Sequence, residues 1–295
     1  MRSNGKSRMG RLLLPVIAAI LLARACPSAM ASPSVVSQVH VISVHVQDHA
    51  AFDSVFLFFQ DILKLPLVYG ELSKPGNEGQ TLYAGFSAGN AYIEPCGPYK
   101  SALPFSPDRT ARFHGLTFSP AASIAEDANE LGRRGISHSE LIGGGHMPRF
   151  IYVTDPLLTG PRLAVSLWEI QDKSDRANLG FLSSSLQEAG GGALGVKRIE
   201  EVRIGHPDKK HLAQWRSFLA PARHEGEVWF VGDGPVLRFV PGKDAQIESI
   251  VLKVESLEKA KAALSRQNLI GRHAPQGIEL DPAKTWGLRI ILREK

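Results

Sequence analysis

Four histidines and two glutamates hold most of the chemistry this sequence can offer. His40, His45 and His114 fall in β-rich runs, His146 closes a Gly143-Gly144-Gly145 loop, and Glu94 and Glu169 end β-rich runs. Such side chains bind cations, move protons or hold a polar ligand, and each also has a plainer account. A strand histidine can be a satisfied interior group, and a strand-end glutamate a solvated carboxylate. His45, His146 and Arg149 are candidates for holding a small molecule, and Arg149 and Arg162 are of the type that receives an anion. Other chemistries are disfavoured. A phosphate cradle needs a glycine-rich turn that opens a helix, whereas Gly143–Gly145 leads to Pro148 and a strand. That loop reads as a hairpin over a cavity mouth. No Ser/His/Asp or Cys/His set stands in a convincing order, and Cys96, between Pro95 and Gly97, reads as inert.

Composition narrows the classes further. The chain has 295 residues and a net charge of +5, from 34 basic and 29 acidic side chains. Five of the basic ones (Arg2, Lys6, Arg8, Arg11, Arg24) lie within residues 1–31, which hold no acidic residue, so the remainder balances at 29 against 29. Nucleic-acid binding needs a basic footprint in the folded domain; none is expected. The leader has a basic start, an apolar run Leu12–Ala23 and a close at Ala29-Met30-Ala31. This is the order of a secretory signal peptide, cut after Ala31. Export to the periplasm or beyond follows, with no membrane association after cleavage. The mature chain keeps one cysteine, Cys96, so no intrachain disulfide can form.

The elements that must position these residues repeat four times. Val39–Val46 reads as a strand, and Phe52, Val55, Phe56, Phe59 and Leu63 share one face of a helix that Pro66 ends. Strands over 67–72, 81–87 and 91–94 complete a βαβββ unit. A second unit starts at Phe113–Phe118, has a helix capped by Ser123 and stopped by Gly135, and closes with strands near 139, 150–153 and 163–168. The third runs from Val196–Ile204 through a helix over 209–219 to strands at 228–231 and 236–240. The fourth has a strand over 250–254, a helix over 257–267 and a last strand over 288–292. Between the second and third, residues 172–194 contain Ser183-Ser184-Ser185 and Gly190-Gly191-Gly192 and read as a linker. Units two and four also share an Asp-Pro pair (Asp155-Pro156, Asp281-Pro282), followed by a strand that ends on Glu169 or Glu294.

In this arrangement the chain resembles the vicinal oxygen chelate superfamily, which includes glyoxalase I, the fosfomycin and bleomycin resistance proteins and the extradiol dioxygenases. The residues that carry the resemblance are Val44-x-Val46-x-Asp48, Phe58-Phe59-x-Asp61-x-Leu63-x-Leu65-Pro66, Asn90-x-x-x-Glu94, His114-Gly-Leu-Thr-Phe and Asp155-Pro156. It implies an α+β fold, with four βαβββ units paired into two half-open barrels over 34–171 and 195–295. It also implies a small-molecule substrate or ligand, and allows a homodimer, because members pair units between chains.

Metal-dependent members hold a divalent ion on two His and two Glu from four strands. Mixed imidazole and carboxylate sets suit Zn, Ni, Fe or Mn without choosing among them. Carried over, the resemblance implies Glu94, His114 and Glu169 as ligands, with Glu169 also the catalytic base. The fourth position, seven residues before Asp48, is Val41. His40 is one residue off, and strand alternation turns it to the opposite face unless a bulge intervenes. His45 shares Val41's face but lies about 13 Å along the strand. In the second barrel the matching residues are Glu201, Ser249 and Glu294, a set without histidine. That argues against the iron site that two-domain dioxygenases keep in that barrel. Two functions follow as expectations: a metal-dependent lyase, isomerase or oxygenase acting in the N-terminal barrel, or a metal-free protein that sequesters a small molecule.

Overall fold

The structure, a computed structural model, describes residues 33–74, 76, 79–99, 104–106, 108–144, 147–169, 178–274 and 277–294. The leader over 1–31, His146 and residues 172–177 of the expected linker lie outside the described residues.

The first unit comprises β1 (Val36–Val46), α1 (His49–Leu57), β2 (Leu67–Tyr69), β3 (Leu82–Tyr83), β4 (Gly85–Ser87) and β5 (Tyr92–Gly97). The second comprises β6 (Ala111–Pro120), α2 (Ile124–Arg133), β7 (Ile142–Gly144), β8 (Met147–Tyr152) and β9 (Ala164–Glu169). After α3 (Asn178–Glu188), the third comprises β10 (Val196–His206), α4 (Lys209–Leu219), β11 (Arg223–Glu225), β12 (Val228–Phe230) and β13 (Val236–Pro241). The fourth comprises β14 (Gln246–Val254), α5 (Leu257–Arg266), β15 (Ile270–Ala274), β16 (Gly277–Leu280) and β17 (Ile290–Arg293). Strand order in the first sheet is β2-β4-β5-β1-β6-β9-β8-β7, with β3 on β5; in the second it is β11-β12-β13-β10-β14-β17-β16-β15. Units pair in chain order, first with second and third with fourth, into two half-open barrels. The α+β expectation holds.

Local chemistry explains the elements. Asp48, Ser123, Asp208 and Ser256 each take extended backbone and accept a backbone N–H from the first turn of the following helix, which satisfies donors that a helix start leaves orphaned. At Ser123 the bond is reciprocated by Glu126, a capping box. α1 continues into a π-turn over Phe58–Ile62, and both Phe58 and Phe59 stay buried. Phe52, Phe56, Phe59 and Phe86 pack ring against ring beneath the first sheet.

The segment read as a linker is partly structured. Its residues 178–188 form α3, and Leu182 is fully buried because it packs on Val41 and Tyr92. Ser87 Oγ donates to the Leu182 carbonyl at 2.7 Å. Asn90 ties the sheets together: its Nδ2 donates to the Ile199 carbonyl, and its Oδ1 accepts from the Ile199 N–H, both at 3.0 Å. Gly89 beside it has φ +91°, and a Cβ there would sit 2.5 Å from the Lys197 carbonyl, so only glycine permits this approach.

The repeat shared by units two and four is a turn. Asp155 and Asp281 each accept through Oδ1 from the N–H two residues on, and through their carbonyls from Thr159 or Thr285 Oγ1 four residues on. Pro in second place suits such a turn.

The barrels also share their irregularities. Pairing of β1 with β6 slips so that Ser37, His40 and His114 are extra residues; pairing of β10 with β14 slips at Lys197, Glu200 and Glu248. Val41, Ser43 and Gly115 therefore correspond to Glu201, Arg203 and Ser249, and Glu94 corresponds to Arg238. His114 matches Glu248 rather than the expected Ser249.

Candidate functional site: an aromatic cavity in the N-terminal barrel

A cavity of about 920 Å³ fills the concave side of the first sheet. Strand alternation decides who faces it: Tyr92, Glu94 and Cys96 on β5; Pro148, Phe150 and Tyr152 on β8; Ala164, Ser166 and Trp168 on β9. On β1, Val41, Ser43 and His45 face it by alternation, and the bulge at His40 turns that residue inward as well. Bulges commonly re-aim a side chain in this way.

Glu94 lines the cavity and is only 6% exposed. Tyr69 donates its O–H to Oε2 at 2.5 Å, and Ser43 donates to Oε1 at 3.4 Å. Burial pushes its carboxyl up to about 7, against the pull of these two hydrogen bonds. His114 and His45 have ring centroids 5.1 Å apart. Burial holds each down to about 4, aided by Arg112 and, for His45, by His114. His40, edge-on to Tyr92, is likewise held at about 4 by burial. All three imidazoles are therefore neutral near pH 7. His40 Nδ1, both nitrogens of His45 and His114 Nδ1 are buried without a protein partner. Burial also raises the Cys96 thiol, keeping it protonated and inert.

Two expected site residues are elsewhere. Glu169 is on the opposite face of β9 from Trp168: its Oε1 accepts from the Ile124 N–H at 3.0 Å, at the start of α2, and its Oε2 pairs with Arg149 at 3.0 Å. It caps a helix, as Glu294 does by accepting from the Leu257 N–H at the start of α5. Arg149 alternates with Pro148 and Phe150 and so also leaves the cavity. His146 lies outside the described residues. Glu94, His114, His40 and His45 do share the cavity wall.

The ligand set that the resemblance implies is not assembled. Among the described residues, no three His, Cys, Asp or Glu side chains converge on one point. Val41 belongs to an apolar cluster with Tyr92 and Leu182, packed by Val68 and Trp168. Where Glu169 was expected, Ser166 and Trp168 face inward. These residues do not fit the metal.

Sequence reasoning missed the walls. Tyr69, Tyr83, Tyr92, Tyr99, Phe150, Tyr152 and Trp168 line the cavity. The signal was present in the alternations Tyr92-x-Glu94-x-Cys96 and Phe150-x-Tyr152.

The second concavity is built from charge. Glu201 pairs with Arg203 and Arg238, and Glu279 with Arg272 and Arg289. Four arginine hydrogen bonds hold both carboxyls below the usual range against burial.

No protein-family model matches the chain, and no curated protein does either. Solved structures do match. An extradiol ring-cleaving dioxygenase from B. fuscum is 14% identical with TM-score 0.56, covering 91% of this chain and 74% of its own. A variant of homoprotocatechuate 2,3-dioxygenase from B. fuscum gives 14% and 0.55, with 90% and 73% covered. Homoprotocatechuate 2,3-dioxygenase from Brevibacterium fuscum in complex with 3,4-dihydroxyphenylacetate gives 14% and 0.53, with 90% and 82% covered. The two-barrel fold expected from the resemblance is therefore shared with extradiol dioxygenases. At this identity the likeness concerns fold alone.

Proposed function

We propose that the chain is a small-molecule binding protein whose N-terminal barrel holds a flat, largely apolar ligand directly on its side chains. The aromatic side chains that line the cavity, Tyr69, Tyr83, Tyr92, Tyr99, Phe150, Tyr152 and Trp168, carry this reading. The aromatic walls supply the apolar contact that such pockets use. A dioxygenase of this fold binds 3,4-dihydroxyphenylacetate, and a ring-bearing ligand suits the walls here.

Calorimetric titration with 4-ethylphenol tests the reading. Saturable binding is expected, with quenching of Trp168 fluorescence that is lost in Trp168→Phe. No heat and no quenching at millimolar probe would end it.

The rival reading, a metal-dependent enzyme, is favoured by Glu94 and His114 facing one cavity. Elemental analysis after refilling with Zn, Ni, Fe and Mn separates the two. The binding reading expects no metal above background. One ion per chain, lost in His114→Ala, would establish the rival. Export belongs to the proposal too: N-terminal sequencing of the secreted protein is expected to begin at Ser32.

A further inference from the structure

Among the described residues three glutamates are buried on strands, and one is treated differently. Glu201 accepts from Arg203 at 2.6 Å and Arg238 at 2.7 Å; Glu279 accepts from Arg272 at 2.6 Å and Arg289 at 2.7 Å. Glu94 is held by two hydroxyls, and no lysine or arginine among the described residues pairs with it. A buried charge is normally paired. At Glu94 the fold supplies hydrogen bonds but no counter-charge.

What surrounds Glu94 is suited to a counter-charge from outside. The Tyr69 and Tyr92 rings stand beside it, 5.8 Å apart, and Tyr83, Tyr99, Tyr152 and Trp168 continue the wall. Aromatic faces attract cations, most strongly when water is excluded. Among the described residues no lysine or arginine lines the cavity. Arg112, on the strand beside it, sets its guanidinium over the Phe105 ring, 4.3 Å from the centroid.

We propose that the ligand of the N-terminal barrel is an organic cation, an ammonium or amidinium group set against Glu94 and carried on a flat apolar body. The proposal rests on reading this barrel as a metal-free binding site, and the test separates the two.

Three probes of one shape are titrated into the mature protein at pH 8 by calorimetry: tyramine (cationic), 4-ethylphenol (neutral) and 3-(4-hydroxyphenyl)propionate (anionic). Tyramine is expected to bind at least tenfold more tightly than 4-ethylphenol, and the anion most weakly. In Glu94→Gln the ratio of tyramine to 4-ethylphenol affinity is expected to fall to near one. If that variant does not fold, the wild-type series decides alone. Equal binding of tyramine and 4-ethylphenol, or an unchanged ratio in Glu94→Gln, overturns the cation while leaving the binding site standing. If no probe binds, both fall.

Discussion

The two barrels share topology, register and even the places where their strands slip, yet they fill their concave sides in opposite ways. In the second, Glu201 and Glu279 are each saturated by two arginines. In the first, the position equivalent to Arg238 is Glu94, the position equivalent to Glu201 is Val41, and the space between is a cavity walled by rings. The backbone is the same device in both. What differs is whether the inward charges are neutralised from within the chain.

Three experiments press on that contrast. The largest effect is expected on the acid limb of stability. His40, His45 and His114 are neutral in the fold, with values near 4 against an ordinary 6.5. The unfolded chain therefore binds more protons between those limits, and stability falls as pH drops from 6.5 to 4. Each imidazole is worth about 3 kcal/mol at the full shift, and His45→Phe should flatten the limb measured by urea unfolding. An unchanged limb would count against the buried imidazoles.

Next comes a matched pair. Glu201→Ala leaves two arginines facing each other and is expected to cost about 2–3 kcal/mol, somewhat below a fully buried break because both arginines reach solvent. Glu94→Gln removes a carboxyl whose value is raised from 4.5 to about 7. Wild type takes up that proton more readily when folded, so Glu94 costs stability increasingly as pH rises from 4.5 through 7. The variant should gain on wild type across that window, by about 3 kcal/mol at pH 8 without ligand. Equal losses from both substitutions would erase the distinction between the barrels.

The smallest effect concerns Glu169. Glu169→Ala removes the acceptor at the start of α2 and should cost about 1 kcal/mol, with 4-ethylphenol binding unchanged by calorimetry. A loss of binding would return Glu169 to the site.

Much of the architecture was legible in the residues. Ser123 announces its helix by local capping, and the Asp-Pro turns before Glu169 and Glu294 mark the repeat. Such signals act within a few residues. The middle strands of unit four were missed: β15 and β16 are defined chiefly by their antiparallel neighbours, a non-local property.

The site was legible in part. Glu94 and His114 were found through the family resemblance; alternation on β5 fixes the facing of Glu94, whereas His114 reaches the cavity at a slip in the pairing of β1 with β6. Glu169 and Arg149 were misplaced for want of one parity. A one-residue change of count sends a side chain to the other face, and only the pairing of β8 with β9 settles it.

The sequence alone determined the order of elements, the fourfold repeat and the supply of histidines, because propensity and periodicity are local. Only the tertiary structure decided that His40 turns inward at a bulge, that Leu182 of the inter-barrel helix packs behind Val41, and that Glu94 meets Tyr69 and no arginine. Those facts depend on strands far apart in the chain meeting in one register, and cross-strand pairing is an energy that no short stretch of residues contains.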